Sequence, residues 1–273
     1  MSVPTITLNN GVTMPQLGFG VYQIPAEATA EAVTTALEAG YRAIDTATLY
    51  RNEEAVGRAI SASGIPREDV FVTTKLWNSD QGYDNARRAF DTSLRNLGLD
   101  RLDLYLIHWP LPSRDLFGET WRALEKIYAD GLVRAIGVSN FAPHHLRRLA
   151  ETATITPAVN QVELHPYLQQ RDTRAYDGEH AIATEAWAPL AKGGKLLSDP
   201  VIDALARKHD RTPAQVVLRW HIQHGTIVIP KSQTPSRVRE NFDIFGFALD
   251  EGDMAEIDGL DEGTRTGPDP DGM

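Results

Sequence analysis

Four side-chain types that together can hand a proton to a carbonyl oxygen recur at comparable places along this 273-residue chain. Asp45 closes the apolar run Ala43-Ile44, and Tyr50 follows in the same stretch, GYRAIDTATLYRNEEAVG (40–57). Lys75 lies near the end of VFVTTKL (70–76), and His108 ends LDLYLIH (102–108). A free phenol titrates near pH 10, and a close ammonium favours the phenolate by about 1–3 units. In such a group Asp45 keeps Lys75 protonated and in place, Lys75 acidifies Tyr50, and His108 donates a hydrogen bond that orients a carbonyl oxygen. The chemistry it suits is protonation of an alkoxide as it forms. Each residue alone has an ordinary structural reading. Asp45 could cap the next helix, Tyr50 could be an amphipathic surface ring, Lys75 could snorkel along apolar neighbours, and His108 could be a satisfied core imidazole. The chemical reading gains when the elements that carry the four are laid out.

Short β-type runs alternate with longer runs of helical period. The strand candidates are LGFG (17–20), RAID (42–45), 70–76, 102–108, VRAIGVS (133–139), AVNQVEL (158–164), IATEAWA (182–188) and TIVIP (226–230). Between them lie runs such as ATAEAVTTALEAG, NARRAFDTSLRNLG and ETWRALEKIYADG, each closing on Gly, a helix-stop signal. TITLNNGVTM reads as a hairpin around Asn10-Gly11. Eight strands alternating with helices imply a parallel sheet with helices outside it. In a chain of this length that favours an α/β fold of the (β/α)8 TIM-barrel type, with an N-terminal β-hairpin and a short C-terminal tail. Two helical runs share 189–225, so one of them is extra, and the Gly/Pro/Asp-rich tail LDEGTRTGPDPDGM is expected to be loose. No linker or composition break divides the chain, so one barrel domain is expected over residues 1–273.

Chemistry in such a barrel sits at the C-terminal strand ends. Those ends carry Asp45, Lys75, His108, Ser139-Asn140, Gln161, Trp187 and Lys231-Ser232 in turn, with Tyr50 starting the helix after the second strand. Titratable groups at the same end of three successive strands are what an active site needs.

Composition excludes several alternatives. Lys plus Arg number 27 and Asp plus Glu 37, a formal net charge of −10, which argues against nonspecific binding of nucleic acid or of an anionic membrane. The absence of cysteine excludes disulfides, thiolate-bound zinc and thiol nucleophiles. The N-terminal MSVPTITLNN has neither a basic nor an apolar signal segment, and no apolar run reaches a membrane span, so a cytoplasmic protein is expected. An anionic ligand would need a local basic cluster, and KSQTPSRVREN (231–241), just after the eighth strand, supplies one. Barrels often bind phosphate there.

The long stretches GYRAIDTATLYRNEEAVG, GLVRAIGVSNF, VNQVELHPYLQQ and IPKSQTPSRVREN resemble signatures of the aldo-keto reductase family, in particular its bacterial 2,5-diketo-D-gluconic acid reductase branch. The resemblance covers nearly the whole chain. It implies a metal-independent, NADPH-dependent oxidoreductase that reduces aldehydes and ketones, with small dicarbonyls or keto sugar acids as substrates. The catalytic tetrad carries over onto Asp45, Tyr50, Lys75 and His108. The resemblance also implies that Ser139, Asn140 and Gln161 hydrogen-bond the nicotinamide carboxamide and that Trp187, where many relatives have Tyr, stacks on the ring. Lys231, Ser232 and Arg237 would grip the 2′-phosphate, with Glu240 and Asn241 near the adenine. Tyr22, Trp77 and Trp109 match positions lining the substrate pocket. Arg51 departs from the pattern, standing where many relatives have Gly, and relatives of this branch are often monomers. No Rossmann glycine fingerprint follows any strand, so the cofactor must be held by the barrel rim. Two rivals stand beside this reading. One is a metal hydrolase using Asp45, His108, Glu163 and His165, although no H-x-H pair lies on the first strand. The other is an NADPH-binding redox-sensing partner module with little turnover.

Overall fold

Period-two alternation decides which side chains fill the middle of this protein. The computed structural model describes residues 3–273. Eight parallel strands run in sequence order around one sheet: β3 (Phe19–Gly20), β4 (Ala43–Asp45), β5 (Phe71–Leu76), β6 (Leu102–Ile107), β7 (Val133–Ser139), β8 (Val159–Glu163), β9 (Ala183–Trp187) and β10 (Ile227–Val228). The first and last meet, because Gly18 N donates to Val228 O (2.8 Å), Val228 N to Gln16 O (2.9 Å) and Gly20 N to Pro230 O (3.2 Å). The result is the expected (β/α)8 barrel. The strands are shorter than the predicted runs at most ends, since edge residues such as Leu164 and Pro230 already belong to the rim loops.

Helices α1 (Ala26–Ala39), α2 (Glu53–Ala62), α3 (Tyr83–Leu97), α4 (Phe117–Ala129), α5 (Pro143–Ala150) and α6 (Arg171–Glu179) follow successive strands. Both α7 (Pro200–His209) and α8 (Pro213–Gln223) lie between β9 and β10, which accounts for the extra helical run, and α9 (Pro235–Phe242) and α10 (Glu251–Asp258) follow β10. Local signals set several boundaries. The first helix stops at Gly40, whose φ of 112° suits no side chain. Thr212 and Gln215 cap α8 reciprocally. The outer layer of apolar side chains, including Trp121, Leu124, Val217 and Trp220, packs the helices onto the sheet.

Inside the barrel a separate apolar floor is formed by Ala43, Phe71, Leu104, Leu106, Val159 and Ile227. The hairpin β1 (Thr5–Thr7) and β2 (Thr13–Pro15) closes it from below with Leu8 and Met14. Asn9 and Asn10 fasten the hairpin by donating to Pro157 O and Arg134 O, both at 2.9 Å. Further along the strands, on the same face, the floor gives way to Asp45 two residues past Ala43, Lys75 four past Phe71, Gln161 two past Val159, and Glu185 on β9, all buried. The fold thus stacks a polar layer on an apolar one and leaves the strand ends above for the rim.

The C-terminal tail is not loose, contrary to its composition. Thr266 and Gly267 donate backbone hydrogen bonds to the Glu163 carboxylate (2.6 and 3.1 Å), Lys192 Nζ donates to Thr266 O (2.6 Å), and Asp271 accepts from His144 (2.9 Å). Specific polar partners on β8, the β9 loop and α5 thus hold a segment with few apolar residues of its own. Met14, only 1% exposed, is the deepest part of the hairpin plug. Met14→Ala should destabilise the protein by about 2–5 kcal/mol in urea unfolding, and a loss under about 1 kcal/mol would mean that the hairpin does not seal the floor.

Candidate active site

Lys75 ends the polar layer on β5 and is fully buried. Its Nζ lies 2.6 Å from Asp45 Oδ1 on β4, 2.9 Å from Thr46 O and 3.5 Å from the Tyr50 hydroxyl. Three donors of one ammonium therefore meet three oxygens. Tyr50 does not start α2. It ends a 3-10 turn, Thr48–Tyr50, which Arg51 closes in the left-handed region at φ 55°. That backbone conformation is one that glycine adopts most readily, and the Arg51 side chain is exposed. Asn52 fixes the turn from beneath. It accepts from Thr46 Oγ1 (2.8 Å) and donates to Val21 O (3.1 Å) and Ile24 O (3.2 Å), tying the Tyr50 loop to the loop that carries Tyr22. Tyr22, 47% exposed, leans on the Tyr50 ring at 5.0 Å.

Burial works against ionisation throughout this cluster. Desolvation pushes the Tyr50 phenol up to about 12, although the Lys75 charge and hydrogen bond pull it down. The sequence reading, in which Lys75 acidifies the phenol, has the right sign for that one interaction but not for the sum. Desolvation also opposes the Lys75 charge, but Asp45 and Tyr50 outweigh it and its pKa is raised. His108 is driven well below its usual range, first by burial and then by the Lys75 charge, so it is neutral. Its Nδ1 is buried without a partner, which favours the bare lone pair there and the proton on Nε2. The ring lies among Tyr50 (5.8 Å), Trp77 (5.2 Å) and Trp109 (6.4 Å).

Ser139, Asn140, Gln161 and Trp187 are brought together beside this cluster, but their donors are already engaged. Ser139 Oγ donates to Gln161 O (2.8 Å), and Asn140 Nδ2 donates to His108 O (2.9 Å) and Ser139 Oγ (3.1 Å). Trp187 Nε1 donates to Asn140 Oδ1 (2.8 Å). Gln161 Nε2 donates to both Asp45 Oδ2 and Glu185 Oε2 at 2.8 Å. What these residues keep for a ligand is acceptor capacity, at Gln161 Oε1 and the second lone pair of Asn140 Oδ1. That matches the two donors of an amide NH2 group. The Trp187 ring carries Gly267 of the tail against it so closely that any Cβ at 267 would collide with the indole.

The basic cluster lies at the far rim. Lys231 and Arg237 are exposed and Ser232 half-buried, with Arg237 in the first turn of α9, where backbone N–H groups and the helix dipole favour an anion. Glu240 accepts from Thr212 Oγ1 (2.8 Å), which ties it to the start of α8, and Asn241 is buried below it. Trp109 is also buried, its carbonyl accepting from Gln81 Nε2 (2.8 Å), so it presents less surface to the mouth than Tyr22 or Trp77.

The ligand set of the metal-hydrolase reading is not brought together. Asp45 is paired with Lys75, while Glu163 faces the tail and His165. Among the described residues, ligand atoms converge only at His144, His145 and Asp271. There His145 Nδ1 accepts from Ala142 N (3.1 Å), so Nε2 carries the ring proton toward Asp271 and has no lone pair to offer.

Comparison with known proteins places this geometry. A model of the Aldo/keto reductase family matches residues 14–262. The chain belongs to that family, which makes it an oxidoreductase. An aldo-keto reductase of Mycolicibacterium smegmatis is 57% identical over 267 residues, spanning 98% of this chain and 97% of that one. Methylglyoxal reductase DkgA of Escherichia coli is 50% identical over 273 residues, spanning 99% and 98%. Among solved structures, a Gox0644 variant in complex with NADPH superposes with a TM-score of 0.95 at 49% identity, covering 99% of this chain and 98% of that one.

Sequence reasoning missed Asn52 and Glu185. Glu185 was within reach, because it stands two residues before Trp187 and so shares its face. Asn52 carried no such signal, since the groups it donates to are carbonyls of a distant loop. Asp45→Asn removes the partner of a fully buried cation and should cost about 3–5 kcal/mol in urea unfolding at neutral pH. A loss under about 1 kcal/mol would mean that Lys75 is held by other contacts.

Proposed function

We propose that the protein reduces small aldehydes and ketones with NADPH, Tyr50 acting as the general acid. The observation that carries this reading is the Lys75 ammonium, sealed between Asp45 at 2.6 Å and the Tyr50 hydroxyl at 3.5 Å. NADPH, when bound, supplies the hydride. The residues present suit such a group: free acceptors at Gln161 and Asn140 for the carboxamide, the half-buried Trp187 ring for stacking, and exposed Lys231 and Arg237 with Ser232 for the 2′-phosphate. Glu240 and Asn241 lie along α9, where they would stand near the adenine of a bound NADPH.

Hydride reaching a carbonyl carbon leaves an electron pair on the oxygen. Tyr50 transfers its hydroxyl proton to that oxygen, and the resulting phenolate is stabilised by Lys75, whose own charge is held by Asp45. A phenol at about 12 is fully protonated at neutral pH, so the acid is always loaded. The proton moves only when an alkoxide, a far stronger base, forms beside it. Neutral His108 donates through Nε2 to the same oxygen and fixes its position. Tyr22 and Trp77 line the opening with exposed Leu49, and Trp109 backs His108. Aromatic rings at the opening suit carbonyl compounds with an apolar face. Small dicarbonyls such as methylglyoxal are the substrate class we favour, because a relative that spans the whole chain is named for reducing one.

Tyr50→Phe should lower kcat by about 10² to 10⁴ while NADPH still binds, as read by quenching of protein fluorescence. Lys75→Met should act similarly, and the double variant should lose little more than either single one. Near-wild-type turnover by Tyr50→Phe would remove Tyr50 as the acid and leave His108 as the candidate. Arg237→Ala should weaken NADPH by about tenfold or more and leave NADH unchanged. Equal losses for both cofactors would overturn the phosphate assignment.

A further inference from the structure

One buried acid has no part in the reaction above. Glu185 on β9 is fully buried, and its only side-chain hydrogen bond among the described residues is the one that Oε2 accepts from Gln161 Nε2 at 2.8 Å. Its Oε1 is buried without a partner. The same Gln161 nitrogen donates to Asp45, so two carboxyl groups share one amide and the single nearby cation, Lys75, is held by Asp45. A carboxylate with an unpartnered buried oxygen, one amide away from a second carboxylate, favours its neutral form.

Resting on the NADPH reading, we propose that Glu185 is a positioning residue of the cofactor site. It fixes the orientation of the Gln161 amide and places an ionisable carboxyl beside it, so that its charge weights the site between reduced and oxidised cofactor. The orientation follows from the two carboxyls, which both require the amide nitrogen and so turn Gln161 Oε1 toward the ligand. The charge effect follows from the cofactor's own chemistry, because the oxidised nicotinamide carries a positive charge that the reduced ring lacks. With Glu185 neutral, the polar layer holds only the balanced Asp45–Lys75 pair. With Glu185 ionised, the layer gains an uncompensated negative charge and favours the oxidised ring. Burial first, and the Asp45 charge second, push Glu185 up to about 8, within the range where both states can be sampled.

Other titratable groups around β9 are accounted for. From inside the barrel only Asp45 and Lys75 face Glu185, and the neighbouring β10 brings Ile227 and Val228. Burial raises Glu163 at the rim, but hydrogen bonds from His165, Thr266 and Gly267 outweigh it and hold that carboxylate ionised. On the opposite face of the strand, burial pushes Asp177 of α6 up to about 7, where it accepts from Thr184 Oγ1 at 2.9 Å.

The test is the dissociation constant of NADPH divided by that of NADP+, measured by fluorescence quenching between about pH 7 and about pH 9.5. Titration of the 2′-phosphate is common to both cofactors and cancels in this ratio. In the wild type the ratio should rise by about tenfold toward oxidised-cofactor preference as Glu185 ionises. Glu185→Gln keeps an acceptor for Gln161 and should hold the ratio flat at its low-pH value, whereas Asp177→Asn should leave the wild-type slope in place. A folded-state pKa above the ordinary value of 4.5 means that the stabilising contribution of Glu185 is complete below 4.5 and is lost as pH rises through about 8. Glu185→Gln should therefore gain on the wild type in urea midpoint across that interval. A flat wild-type ratio, or a Glu185→Gln variant that keeps the wild-type slope, would overturn the proposal even if the variant's stability changed. Failure of the wild type to bind either cofactor would overturn the NADPH reading itself, and this inference with it.

Discussion

A lysine ammonium sealed inside a barrel is the constraint on which the rest of the structure depends. Removing such an ion from water costs several kcal/mol, and the cost must be met by oxygens placed at hydrogen-bond distance. Asp45, Thr46 O and Tyr50 supply them. Asp45 and Thr46 stand together at the end of β4, Tyr50 on the 3-10 turn after it and Lys75 itself on β5, so these three pieces of backbone must keep a common register for Lys75 to remain charged. The Thr73–Asp45 pairing in the sheet and the Asn52 tie between two rim loops provide that register. The same ammonium then limits the protonation states around it. Burial first and then this ammonium keep His108 neutral, and the ammonium restrains the rise in the Tyr50 pKa that burial produces.

Vertical order in the barrel makes this arrangement affordable in stability. The hairpin and the apolar floor exclude water from below, and the aromatic rings of Tyr22 and Trp77 crowd the entrance from above. Between them the polar layer is nearly self-satisfied, with Asn140, Ser139 and Gln161 donating to one another or to the backbone and carboxyls nearby. Such a network is rigid before any ligand arrives, which favours reactions that need fixed dipoles over those that need rearrangement. The tail adds a lid-like strap, held by Glu163 and by the His144–Asp271 contact, with Gly267 set against Trp187.

Much of this was legible in the sequence because the barrel repeats one simple pattern. Eight apolar runs, each followed by helical period, fixed the strand order, and the polar residues at their ends were readable as a set. Strand limits were less so, since Leu164 and Pro230 are apolar but belong to the rim. The tail was misread because its order comes from hydrogen bonds to Glu163 rather than from apolar burial, and composition reports only the latter. The net shift of Tyr50 was misjudged for a related reason. Pairwise charge is visible from residue types, whereas desolvation depends on how deeply the loop is packed. Glu185 sits in mid-strand rather than at the strand end where chemistry was sought, although its spacing from Trp187 placed it on the interior face.

The most direct measurement is the charge of Lys75 itself. Protein labelled with 15N at lysine Nζ should show one ammonium signal protected from exchange, absent in Lys75→Met, and its charged form should persist to a pH above the 10.5 of an ordinary lysine. A neutral amine at this position near pH 7 would contradict the account, because Asp45 would then lack its ion pair and Tyr50 its electrostatic partner.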